Sequence, residues 1–75
     1  MELNYDQYLK DMHHAYVGRV ATIVGGHSQA GRTGRVKSLL NDLSGLKAVI
    51  AFFGHHEPHE VVVRLDLIRL EPLPG

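Results

Sequence analysis

Gly18-Arg19-Val20-Ala21-Thr22-Ile23-Val24-Gly25-Gly26-His27-Ser28-Gln29-Ala30-Gly31-Arg32-Thr33-Gly34-Arg35-Val36 is the stretch on which the fold turns. From Val17 to Val24 the side chains are β-branched or small apart from Arg19, which predicts a strand. Within it Ala21 and Ile23 share a face and are expected to point inward. Gly25 and Gly26 stop that strand, and a loop runs to Arg32. Thr33 to Leu40 reads as a second strand returning alongside the first. Gly31 and Gly34 are placed to supply positive φ at the reversal, and Val36 brings the chain back to the core.

The same pattern of short apolar runs and polar turns continues downstream. Asn41-Asp42-Leu43-Ser44-Gly45 is a turn by composition, and Leu46 to Phe53 is the most apolar strand. Phe52 and Phe53 must face opposite ways on it, one into the core and the other either as an exposed anchor or packed under the helix. Gly54 to His59 is a second turn, in which Pro58 blocks ladder pairing. Glu60 to Arg64 is the fourth strand, Leu65 to Ile68 a tight helical turn, and Arg69 to Glu71 a short last strand. Residues 72–75 form a tail. Upstream, Tyr5, Tyr8, Leu9, Met12 and Tyr16 fall on one face of a helix expected over residues 4–14. Asn4 caps it, with Gln7 as capping-box partner and Asp6 in the first turn. The expectation is a mainly β chain: a small five-stranded SH3-like barrel over residues 17–71, preceded by a short amphipathic N-terminal α-helix. Closure removes the open edges that a sheet this small would otherwise expose.

At 75 residues the chain makes one domain, 1–75, with a thin core. A hydrophobic content of 44% against 21% charged places it among globular proteins, not disordered ones. It has no cysteine, which excludes disulfides, thiolate metal sites and a thiol nucleophile. The acidic, polar start is unlike a signal peptide, and the longest apolar run, Ala48 to Phe53, is too short to span a bilayer. A cytoplasmic location without membrane attachment is the expectation.

Net charge is zero, yet the charge is unevenly distributed. Residues 12–41 carry Arg19, Arg32, Arg35 and Lys37 and no acid, while the segments on either side each carry a net −2. A strongly basic nucleic-acid binder would be positive overall, so any anionic contact is confined to this middle segment.

Gly18, the alternating Ala21 and Ile23, Gly26, and Gly31-Arg32-Thr33-Gly34-Arg35-Val36 resemble the KOW motif of SH3-like barrels in ribosomal proteins and transcription elongation factors. The closing segment Glu60 to Leu70 is similar to the last strand, tight turn and final strand of many such barrels. The resemblance covers about a quarter of the chain, and the Gly26–Gly31 loop is about one residue longer than the usual pattern. It implies binding of RNA, of another protein, or of both.

Three constellations invite a sharper chemistry. Gly26 to Thr33 approaches a P-loop, but Arg32 occupies the lysine position, and the chain is too short for the parallel sheet and helices that such a loop serves. His55, His56 and His59, with Glu57 and Glu60, pack imidazoles and carboxylates into one turn and are candidate zinc, nickel or copper ligands. Ser28 beside His27 lacks any assigned third member of a catalytic set, and the chain is not expected to be an enzyme or to carry a cofactor.

The expected function is that of a binding module, an adaptor or accessory subunit. It contacts a protein or RNA through the basic Gly25–Gly34 loop, using His27, Gln29, Arg32, Arg35 and Lys37. Arginine's planar fork suits phosphate and carboxylate alike. The alternatives are a metal-binding protein on the histidine turn, or a homo-oligomer in which Tyr5, Tyr8, Met12 and Phe53 form the interface.

Overall fold

The computed structural model describes residues 5–73, and Tyr5 by its backbone alone. The expected Asn4 cap, the Tyr5 side chain and the last two tail residues lie outside the described residues. The chain is mainly β: helix α1 (Tyr5–Tyr16) is followed by strands β1 (Val20–Ile23), β2 (Thr33–Asp42), β3 (Gly45–Phe52), β4 (Glu60–Arg64) and β5 (Ile68–Leu70). A 3-10 turn, Leu65–Leu67, joins β4 to β5. All five strands belong to one antiparallel sheet in the order β4-β3-β2-β1-β5. The sheet therefore ends in β4 on one side and β5 on the other. Among the described residues no pairing joins these two strands, so the edge closure expected from the sequence is not made, because the 3-10 turn carries the chain from β4 across to β1 rather than back alongside β4.

Helix α1 runs two residues past its expected end at His14, because no breaker intervenes before Gly18. Val17 still donates to the His13 carbonyl at 2.9 Å, and Gly18, at φ 88°, turns the chain out of the helix. This shortens β1 to Val20–Ile23. Gly18 N–H then donates to the Val36 carbonyl, and Val36 N–H to the Arg19 carbonyl, both at 2.8 Å, which fastens the end of α1 to the middle of β2.

Alternation sets the core. Ala21 and Ile23 face inward and are fully buried, as their spacing requires. Val36, Ala48, Ile50, Phe52 and Val63 complete the cluster, with Leu39, Val61, Leu65, Leu67, Ile68 and Leu70 packed around it. A register shift between Val36 and Ser38 leaves Lys37 without an opposite residue. This bulge resets the alternation, so Leu39 packs against the core while Leu40 is left exposed.

Gly34 corrects one sequence expectation. It does not take positive φ; it lies in β2, opposite Phe52. A Cβ there would stand 2.8 Å from Ile50 Cγ2 and closer still to the Ala51 carbonyl oxygen. The glycine is demanded by a close approach between strands. Gly31, at φ 91°, does supply the expected left-handed turn.

The radius of gyration is 13.0 Å, against about 11 Å for a compact chain of this length. The excess follows from the topology. β1 pairs only with residues 33–35 of β2; residues 36–40 continue in a three-stranded stretch with β3 and β4, and the tip, residues 41–46, extends beyond β4 as a two-stranded hairpin. α1, which lies against β2, carries exposed or half-buried residues along the whole of its described length.

Candidate functional site

The loop between β1 and β2 is fastened by its own backbone. Gln29 N–H donates to His27 Nδ1 (3.0 Å), Ala30 N–H to the His27 carbonyl (3.1 Å), Gly31 N–H to the Ile23 carbonyl (2.7 Å) and Arg32 N–H to the Gln29 carbonyl (3.1 Å). A phosphate cradle needs such amides free and a helix N-terminus behind them. Here they are engaged, and a strand follows.

Arg32 is the keystone of this region. Its guanidinium lies 3.9 Å from the centre of the Phe52 ring. Nη1 donates to Gln29 Oε1 and to the Pro58 carbonyl, both at 3.1 Å, and Nη2 to the His56 carbonyl at 3.2 Å. One planar fork thus ties the β1–β2 loop to the β3–β4 loop over a core aromatic. The sequence reading makes Arg32 a partner anchor; the structure shows its guanidinium engaged within the chain.

The other expected contact residues fare differently. His27 and Gln29 are half-buried and hold the loop's shape. Lys37 is exposed and pairs with Glu60 at 2.7 Å. Arg35 is exposed, donates to the Gly18 carbonyl at 2.6 Å, and retains the rest of its fork toward solvent. Phe52 is buried, while Phe53 stands 53% exposed beside Thr33, to whose carbonyl its N–H donates. Of the expected interface residues, Tyr8 is 42% exposed and Met12 half-buried. They lie on α1, whose end joins β2 at Val36, whereas Phe53 lies beside the start of β2.

His55, His56 and His59 are all exposed and do not converge. His59 Nε2 lies 2.9 Å from Glu57 Oε1. Among the described residues no three His, Asp or Glu side chains are placed to hold one ion.

Sequence reading missed a polar chain across the outer face of β1. Thr22 Oγ1 donates to Glu71 Oε1 at 2.6 Å. Its single proton being used, the 2.9 Å contact with Thr33 Oγ1 has Thr33 as donor. Arg19 Nη2 donates to the Glu71 carbonyl at 2.8 Å, and Arg69 lies 3.4 Å from the Glu71 carboxylate. Hydrogen bonding from Thr22, then from Arg69, holds the Glu71 carboxyl below the usual glutamate range. The outward alternation of Thr22 was visible in the sequence; its pairing with β5, which brings Glu71, was not.

Among known proteins, no family model, curated protein or solved structure matches this chain. Among the described residues no helix is long and apolar enough to cross a membrane.

Proposed function

We propose that this chain is a non-enzymatic binding module of the SH3-like, KOW-like kind that takes a protein partner on the surface formed by Phe53, Arg35 and the clamped β1–β2 loop. The observation that carries the reading is Phe53: a large aromatic side chain, 53% exposed, at the margin of a loop pair that Arg32 already holds in shape. Aromatic anchors contribute most of the affinity at protein interfaces, and a pre-ordered loop loses little entropy on binding. Protein is favoured over RNA by the charge balance. Of the basic side chains that the sequence offered, Arg32 is engaged internally, and the net charge of the chain is zero. That leaves too few cations to neutralise a phosphate backbone.

The test is affinity capture of partners from an extract of the protein's own cell at rising salt, wild type against Phe53→Ala and Arg35→Ala. A specific protein retained above about 0.3 M salt and lost with Phe53→Ala supports the reading. In parallel, fluorescence anisotropy with a random-sequence single-stranded RNA is expected to show no binding. Tight RNA binding that weakens steeply with salt would replace the protein reading by the nucleic-acid one.

A further inference from the structure

Among the described residues neither end of the sheet is paired with a further strand, and the two ends are not equivalent. Phe52 N–H donates to the His59 carbonyl, so residues 59, 61 and 63 turn their backbone groups toward β3. Glu60, Val62 and Arg64 therefore direct theirs outward, and all three residues are exposed. The Arg64 carbonyl heads the 3-10 turn, which among the described residues leaves five backbone groups of this edge without a strand partner. On β5 the bond from Glu71 N–H to the Val20 carbonyl fixes the opposite phase, so only Ile68 and Leu70 face outward. Ile68 N–H already donates to Leu65, and three groups remain.

The β4 edge is also its own complement. Its sequence, Glu60-Val61-Val62-Val63-Arg64, reads acid, three valines, base. The geometry points to this edge as the docking surface for a second copy of the chain, paired antiparallel about a two-fold axis at Val62. In that register Val62 lies opposite the partner's Val62, and Glu60 opposite the partner's Arg64 on both sides of the axis. The Val62 amides and carbonyls exchange two bonds, and each Arg64 amide meets a Glu60 carbonyl. Side chains agree with the backbone. Val49 is the cross-strand neighbour of Val62, and Lys47 that of Arg64. Pairing would extend an apolar row from Val49 through Val62 into its copy in the second chain, flanked by Glu60–Arg64 ion pairs. It would also place a carboxylate directly opposite Arg64, whose neighbour within the chain is another cation. Glu60 and Arg64 now pair with Lys37 and Asp66, at exposed sites where such pairs are weak and readily exchanged. Residue-for-residue self-complementarity is the signature of an isologous interface. The shorter β5 edge, with no such charge pattern, does not favour a head-to-tail chain of copies.

Sedimentation velocity of the full chain tests this. A monomer–dimer equilibrium is expected, with a dissociation constant on the order of 1–100 µM, as suits an interface at the small end of the range. Val62→Pro removes an amide that the β3 ladder does not use; it is expected to weaken the dimer at least about tenfold with unchanged far-UV circular dichroism. Glu60→Arg and Arg64→Glu are each expected to weaken it about three- to tenfold by opposing like charges, and the double exchange to return within about threefold of wild type. Loss of the Lys37 and Asp66 pairs cannot produce that rescue, since the double exchange loses both. Phe53→Ala leaves the dimer intact, which separates this inference from the binding surface proposed above. A monomer at about 200 µM, an assembly larger than a dimer, or charge variants without rescue overturns the two-fold pairing.

Discussion

The β1–β2 loop and helix α1 are opposites. The loop has no regular secondary structure, yet its amides, its Arg32 fork and the Phe52 ring beneath fix it to the sheet and to the β3–β4 loop. The helix is fully regular, yet its described side chains are exposed or half-buried, and Tyr16, Val17 and Gly18 attach its C-terminal end to the core and to β2. Regularity and anchorage are separate properties. The helix owes its form to local propensity and spacing. The loop owes its form to its own short-range backbone bonds together with Arg32 contacts to carbonyls more than twenty positions away.

Perturbing the frame that carries both regions is expected to have the largest effect. Gly34→Val drives a side chain into the Ala51 backbone and should lower stability by about 3 kcal/mol or more. In a domain this small that abolishes most of the urea transition; a variant as stable as wild type would mean that the strands can separate locally. Next comes the loop itself. Arg32→Ala is expected to lower stability by about 1–2 kcal/mol and to raise amide exchange in the β1–β2 and β3–β4 loops together, with little recovery in Arg32→Lys, which lacks the fork. Exchange that rises in one loop alone would show that Arg32 does not couple them.

Tyr8→Ala and Met12→Ala should each change stability by less than about 1 kcal/mol, because neither side chain is fully withdrawn from water. Hydrogen exchange in the first turns of α1 should accordingly be fast while β1 to β3 stay protected. Slow exchange throughout α1 would erase the contrast with the loop. The smallest effect lies at the tip of the β2–β3 hairpin. The Ser44 hydroxyl and amide, and then the Lys47 ammonium, hold the Asp42 carboxyl down at about 2. A carboxyl lowered in the folded state stabilises above its unfolded value and loses that contribution as pH falls toward 2. Carboxyl NMR should place the Asp42 titration near that value, and Asp42→Asn should flatten the acid limb of the urea midpoint. An ordinary aspartate titration would break the assignment.

Much of the fold was legible. The Glu60–Arg64 strand falls where its valine run places it, and Leu65–Leu67 forms the tight turn expected before the last strand. The inward set of Ala21, Ile23 and Val36 follows from alternation alone. The Asn41–Gly45 turn is tighter than composition suggested: β2 and β3 run on to Asp42 and Gly45, because Gly45, at φ 111°, lets the chain reverse on Leu43 and Ser44. The site was less legible. Arg32 reads as a free cation in sequence, since nothing local reveals that the Pro58 and His56 carbonyls will converge on it.

The amino-acid sequence by itself determined the kinds of element and their order, because apolar spacing and glycine placement act over a few residues. Only the tertiary structure decided which glycine serves a turn and which a close approach, where the Lys37 bulge resets the alternation of β2, and that the basic loop is clamped inward. Those outcomes depend on strand register, and register is set by partners far apart in the chain, whose meeting no local pattern encodes.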